Sequence, residues 1–254
     1  MKRPKVELEN YKQVYAYYQD YGPPRLASRL AWRAFNGIYQ PRITFVDGAR
    51  ETFSWAQAEG IPQIIAFNHL TDVHDQFVAG ATLQQIMPDG AGRTRILTKD
   101  LLLRQVPRGL GLVGDALCGI PVFRKKDHGV QSGIVDSSTE ALYNCSVAIL
   151  ESGQNLVGFP EGTHNKNNPR FLGKVRPGMA EIACRAVRQC VPVTVTAIGM
   201  SYGQPGEKQH ARHATVIVGE TFDVIESDTV EKITEDIREG LQNAVAVAFE
   251  LHAR

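Results

Sequence analysis

The chain has 254 residues and a formal net charge of +1: long enough for one large domain or two small ones, with no charge imbalance pointing to nucleic acid or acidic partners. Its four cysteines (Cys118, Cys145, Cys184 and Cys190) lack CxxC spacing and sit in apolar stretches, the pattern of buried thiols in a reducing compartment. The N-terminus carries no apolar signal-peptide core and no window approaches the roughly 18 apolar residues that cross a bilayer, so a soluble or peripheral protein is expected.

Residues 11–22 are rich in tyrosine, and Pro23-Pro24 break whatever they form. Helical spacing then runs from Arg25 to Tyr39. Arg25, Arg29 and Arg33 make one basic stripe, and Leu26, Leu30, Trp32, Ala34, Phe35 and Ile38 spread over the remaining surface. Two placements fit this helix. It lies in a membrane interface with guanidinium groups at lipid phosphates and Trp and Phe below them, or it packs on the body with a solvated arginine edge.

A short strand is expected over Arg42–Asp47 and a buried one over Ile61–Phe67. A helix follows over Val73–Met87, then a polar loop over Pro88–Arg93. Arg95–Thr98 reads as a strand, Asp100–Arg108 as a helix and Ile120–Arg124 as a strand. The helix Asp136–Ser152 stops at Gly153, a C-terminal cap signal. The strand Asn155–Phe159 runs straight into Pro160-Glu161-Gly162-Thr163. Gly178–Gln189 is helical, and Val191–Ile198 and Ala214–Gly219 are strands. Residues 229–252 form an amphipathic helix with Val230, Ile233, Ile237, Leu241, Ala244, Ala248 and Leu251 on one face. Strands alternating with helices predict an α/β fold, a mostly parallel mixed sheet flanked by helices. The expected organisation is an N-terminal helical extension (residues 1–40) and one domain over residues 41–254.

Chemistry concentrates where the strand Ile61–Phe67 ends. Asn68-His69 follows it, and His69, Asp72, His74 and Asp75 fall within seven positions. A histidine beside carboxylates is a general base with its orienter or the start of a metal site. Further polar groups recur at later strand ends: Lys99 in Leu-Thr-Lys-Asp-Leu, Arg124 closing Gly119-Ile-Pro-Val-Phe-Arg, and Glu161 in Phe159-Pro-Glu-Gly-Thr163. Val191-Pro-Val-Thr-Val195 comes last.

In order and spacing these stretches resemble the four sequence blocks of the glycerophospholipid acyltransferase family, which includes lysophosphatidate and glycerol-3-phosphate acyltransferases. The resemblance covers residues 42–219. It implies a fatty acyl group moved from a coenzyme A or acyl carrier protein thioester to a hydroxyl of a glycerol-phosphate-type acceptor, lysophosphatidate first among them, in phospholipid biosynthesis. It implies His69 as general base and, by its usual spacing, an aspartate five positions later. That position holds His74 here, and the aspartates stand at three and six. Asp75-Gln76-Phe77 matches the family's Asp-Pro-Phe with one residue inserted, so Asp75 is the expected orienter and Asp72 the alternative.

Arg124 is the expected phosphate ligand, followed by Lys125 and Lys126, the latter read as part of a solvated loop. Lys99, Glu161, Gly162, Thr163 and His164 complete the expected substrate-binding set, with the Glu161 carboxylate facing glycerol hydroxyls and Gly162 allowing a tight turn. The family commonly has arginine where this chain has His164, and Arg170, Lys174 and Arg176 are candidates to compensate. Pro192 and its flanking valines are expected in the sheet core. Leu101, Leu102, Leu103, Leu110 and Leu112 fit an acyl channel or plain core packing. No metal or redox cofactor is implied, and the expected location is cytoplasmic, peripheral at the inner face of the membrane.

Two other readings remain. The His69, Asp72, His74 and Asp75 cluster superficially resembles that of metal-dependent hydrolases, which need further ligands at later strand ends. His128, His164, His210 and His213 lie instead in polar segments. The other is a lipid-binding relative without activity, suggested by the irregular His-to-Asp spacing.

Overall fold

The computed structural model describes residues 3–22, 25–71, 74–104, 118–129, 132–165, 168–204 and 210–252, with the side chains of residues 25–29, 91 and 132 left aside. Among the described residues seven strands form one sheet: β1 (Arg42–Phe45), β2 (Gln63–Phe67), β3 (Thr94–Lys99), β4 (Gly119–Val122), β5 (Asn155–Gly158), β6 (Thr194–Ser201) and β7 (Thr215–Asp223). Their spatial order is β1-β7-β6-β2-β5-β3-β4. The block from β6 to β4 is parallel throughout, and β7 runs antiparallel to β6. β1 pairs parallel with β7 and is therefore reversed relative to the rest. The expected mixed, mostly parallel sheet is present.

The helices are α1 (Tyr11–Asp20), α2 (Arg25–Ile38), α3 (Ala49–Ala58), α4 (His74–Ile86), α5 (Asp100–Arg104), α6 (Lys125–His128), α7 (Ser132–Glu151), α8 (Gly178–Arg188) and α9 (Val230–His252). They cover both faces. Alternation along β2 sends Ile64 and Ala66 into the core shared with α1, α7 and α8, and Ile65 and Phe67 into the core shared with Trp32, Phe53 and Val78. β2 is wholly buried because it sits mid-sheet between layers of helices. α7 ends as expected: Gly153 adopts φ +76° and its N–H reaches the Leu150 carbonyl at 2.8 Å.

The structure adds to these expectations and changes some. The tyrosine-rich segment is α1, and its Val14, Tyr15, Tyr17 and Tyr18 are buried in the main core. Residues 49–58 form a helix not expected from sequence, and a 3-10 turn, Ala91–Arg93, interrupts the polar loop. Cys190 is exposed, whereas Cys118, Cys145 and Cys184 are buried, and burial pushes the Cys145 thiol up to about 12. Pro192 is exposed ahead of β6, while Val191 and Val193 beside it enter the core.

α2 packs on α4. Trp32 is 1% exposed, and a methyl group on Gly80 would come within 2.3 Å of its ring, so that glycine is what lets the indole in. Phe35 stacks on Phe77 at 4.6 Å between centroids. Neither aromatic is available to lie below lipid phosphates. Leu30 (57% exposed) and Ile38 (50%) face outward instead, and Arg33 is exposed.

Candidate active site

The parallel strands from β6 to β4 deliver their C-terminal ends to one edge of the sheet, where α/β proteins gather their functional groups. Past β2, the Asn68 side chain turns inward. Its oxygen accepts from the Met200 N–H (2.7 Å) and its amide donates to the Met200 carbonyl (3.0 Å), stapling β2 to β6. His69 emerges beside this staple with its imidazole at the wall of a cavity of about 870 Å³.

His69 Nδ1 lies 2.7 Å from Asp75 Oδ2. Asp75 stands in the first turn of α4, where an anion is favoured by the helix dipole. Its buried carboxylate also accepts from the Leu70 N–H (2.6 Å), the Thr71 N–H (2.9 Å), the Thr71 hydroxyl (2.9 Å) and the Tyr202 hydroxyl (2.7 Å). Tyr202 is itself buried; burial, then the Asp75 charge, raise its pKa well above the ordinary value, so it remains a donor. A carboxylate held by so many donors cannot rotate. It therefore accepts the Nδ1 proton and leaves Nε2 as the basic nitrogen of His69. His74, at the family's usual aspartate position, bonds the Tyr39 hydroxyl at 2.8 Å. Asp72 lies outside the described residues.

Glu161 departs from its expected orientation. It is 2% exposed and does not line the cavity; Oε1 accepts the His69 N–H (2.8 Å) and Oε2 the Gly173 N–H (2.6 Å). It braces the backbone that carries His69. Burial raises its pKa, and the two N–H groups act against that shift. Gly162, at φ +61°, closes the turn with its N–H on the Phe159 carbonyl (2.9 Å), and its own carbonyl accepts from Arg124 (2.9 Å) and Lys126 (3.0 Å). Lys126 is exposed, as expected, but it stands on a helical turn and donates to the site rather than lying in a free basic loop.

Thr163 and His164 line the cavity, and the His164 ring meets that of His69 edge-on at 4.4 Å. Lys99, Arg124 and Arg176 also line it; Arg170 bonds Gln204, and Lys174 is exposed and outside the lining. Beyond the cations the wall is apolar, with Leu97, Leu101, Leu102, Leu142, Met179 and Ile182. Leu103 is core, and Leu110 and Leu112 lie outside the described residues. The Val191–Val195 block sits at the opposite end of β6, because Thr194 pairs with Gln63 while Ile198 pairs with Phe67.

Sequence reasoning missed Tyr202, Asp127 and Tyr39. Asp127 carried a usable signal, three residues after Arg124 at helical spacing. Tyr202 carried none, since only the sheet order brings it to Asp75. Among the described residues no three His, Cys, Asp or Glu side chains converge as metal ligands would.

The family described as Acyltransferase matches residues 50–196. Among solved structures, the fold is similar to that of the 1-acyl-sn-glycerophosphate (LPA) acyltransferase PlsC from Thermotoga maritima. The two share 16% identity with a TM-score of 0.50, over 97% of this chain and 80% of that one. Comparison with curated proteins gives no match.

Proposed function

The chain belongs to the acyltransferase family, and from that premise we propose that it moves a fatty acyl group from a coenzyme A or acyl carrier protein thioester to a hydroxyl of a glycerol-phosphate acceptor, lysophosphatidate fitting best. The observation that carries this is the His69–Asp75 contact opening onto a cavity with a cationic rim and an apolar wall. His69 Nε2 takes the acceptor hydroxyl proton as that oxygen attacks the thioester carbonyl. The C–S bond then breaks, the thiolate leaves and recovers the proton, and an ester remains. Arg124, Lys99, Lys126 and Arg176 suit a phosphate, and the leucine-rich wall suits an acyl chain. No metal or redox group takes part in this scheme.

The test is thiol release from palmitoyl-coenzyme A with lysophosphatidate, glycerol 3-phosphate or monoacylglycerol as acceptor, repeated with acyl carrier protein as carrier. Acceptor-dependent release is expected; release that ignores the acceptor would mean a thioesterase. Arg124→Ala should raise the lysophosphatidate KM roughly tenfold or more and leave the donor KM nearly unchanged. Equal effects on both would remove Arg124 from acceptor binding.

The same reading puts the enzyme at the inner face of the membrane, where its product partitions. The exposed Leu30 and Ile38 beside Arg33 support docking through α2. None of the described helices is long and apolar enough to cross a bilayer. Paired Leu30→Glu and Ile38→Glu substitutions should abolish flotation with anionic vesicles while activity on micellar acceptor persists. Unchanged flotation would place the contact elsewhere.

A further inference from the structure

Lys99, Arg124, Lys126 and Arg176 gather at one rim of the cavity, and the Asp127 carboxylate is set among them. The neighbouring Lys125 is engaged elsewhere, 2.7 Å from Asp136 Oδ1. Asp127 Oδ2 accepts from Arg124 Nε at 2.6 Å, and Oδ1 is 3.6 Å from Lys99 Nζ. This carboxylate is mounted rigidly. It belongs to the single turn α6, and the next residue, His128, places Nε2 3.2 Å from the buried Asp100 carboxylate, which also holds Arg104 Nε at 3.1 Å. Burial alone would raise the Asp127 pKa, but its hydrogen bond to Arg124 and the charges of Arg124, Lys99 and Lys126 lower it, so it is ionised at neutral pH. The crowding of cations is visible at Lys126, whose pKa is lowered by burial and then by Arg124, Arg176 and Lys99.

We infer that Asp127 is a resident counter-anion that sets how strongly this seat takes the acceptor's phosphate, an inference that rests on the acyl-transfer reading above. A phosphate entering here must share Arg124 and Lys99 with a fixed negative charge. The penalty grows with the charge of the newcomer, so a doubly charged phosphomonoester loses more affinity than a singly charged phosphodiester. Because the product keeps the phosphate of the acceptor, a seat held below its full attraction also lets the product leave.

Asp127→Asn keeps the size and one acceptor oxygen for Arg124 Nε while removing the charge. The lysophosphatidate KM should fall roughly tenfold and become more sensitive to salt, with the monoacylglycerol KM unchanged. Inorganic phosphate should raise the melting temperature of the variant more than that of the wild type. If the Asn variant does not fold, Asp127→Ser is read in the same way. A raised lysophosphatidate KM with lower kcat would overturn the inference and make Asp127 an aligner of Arg124; unchanged constants would overturn it too. If the wild type neither prefers phosphorylated acceptors nor gains stability from phosphate, the acceptor reading fails and this inference falls with it. A phosphate preference in the wild type that Asp127→Asn does not strengthen sinks the inference alone.

Discussion

His69→Ala is expected to lower kcat/KM for acyl transfer roughly 10³-fold or more with little change in melting temperature. The imidazole is hydrogen-bonded to the fold through Nδ1 on Asp75, and that carboxylate keeps donors from Leu70, Thr71 and Tyr202 when the ring is gone. The backbone of residue 69 keeps its own bonds, N–H to Glu161 and carbonyl to the Asn165 N–H. Thiol release with lysophosphatidate, paired with a thermal melt, reads both quantities. Residual activity above about a tenth of wild type would remove His69 from the general-base role.

Glu161→Gln should damage both activity and stability although the two side chains are nearly isosteric. Each carboxylate oxygen accepts a backbone N–H, from His69 and Gly173, and replacing either oxygen by NH₂ sets a donor against a donor. Leaving one buried N–H unsatisfied costs about 1–3 kcal/mol. Because the His69 backbone loses its brace, kcat should fall by roughly tenfold or more. A melt and a kcat within error of wild type would show that the brace is dispensable. Acid should act in the same direction on activity. Burial raises the Glu161 pKa above its unfolded value of 4.5, so this group binds a proton more tightly in the folded chain. Its contribution to stability is therefore greatest below 4.5 and declines as pH rises through the raised value, while the carboxylate, the stronger acceptor for the His69 and Gly173 N–H groups, predominates above it; a protonated oxygen still keeps a lone pair, which the Gln NH₂ lacks.

Much of this architecture could be read from local pattern. The apolar run into Asn68-His69, the Phe-Pro-Glu-Gly-Thr turn after β5 and the glycine stop of α7 each combine a hydrophobic signal with a residue that ends it. α1 escaped because its buried face is made largely of tyrosines, which are weak helix formers, and α3 because Ala49, Phe53 and Ala56 alone of its ten residues are buried. The reversal at β7 was invisible because strand direction depends on the connection: residues 202–214 return the chain without an α-helical crossover among their described residues. Within the site, Asp75 was legible from Asp-Gln-Phe. The inward turn of Glu161 was not, since its partners are backbone amides at residues 69 and 173 that carry no sequence signature.

The Tyr202 hydroxyl reaches Asp75 across 127 positions, and Asn68 closes on Met200 across 132. Such contacts come late in folding, because closing a long loop costs entropy before the contact is made. A growing chain that has already released His69 and Asp75 holds them without the tyrosine and without the β6 staple. The pair acquires its fixed geometry only when β6 docks beside β2, so a stalled or truncated chain carries the residues of the site but not the site itself.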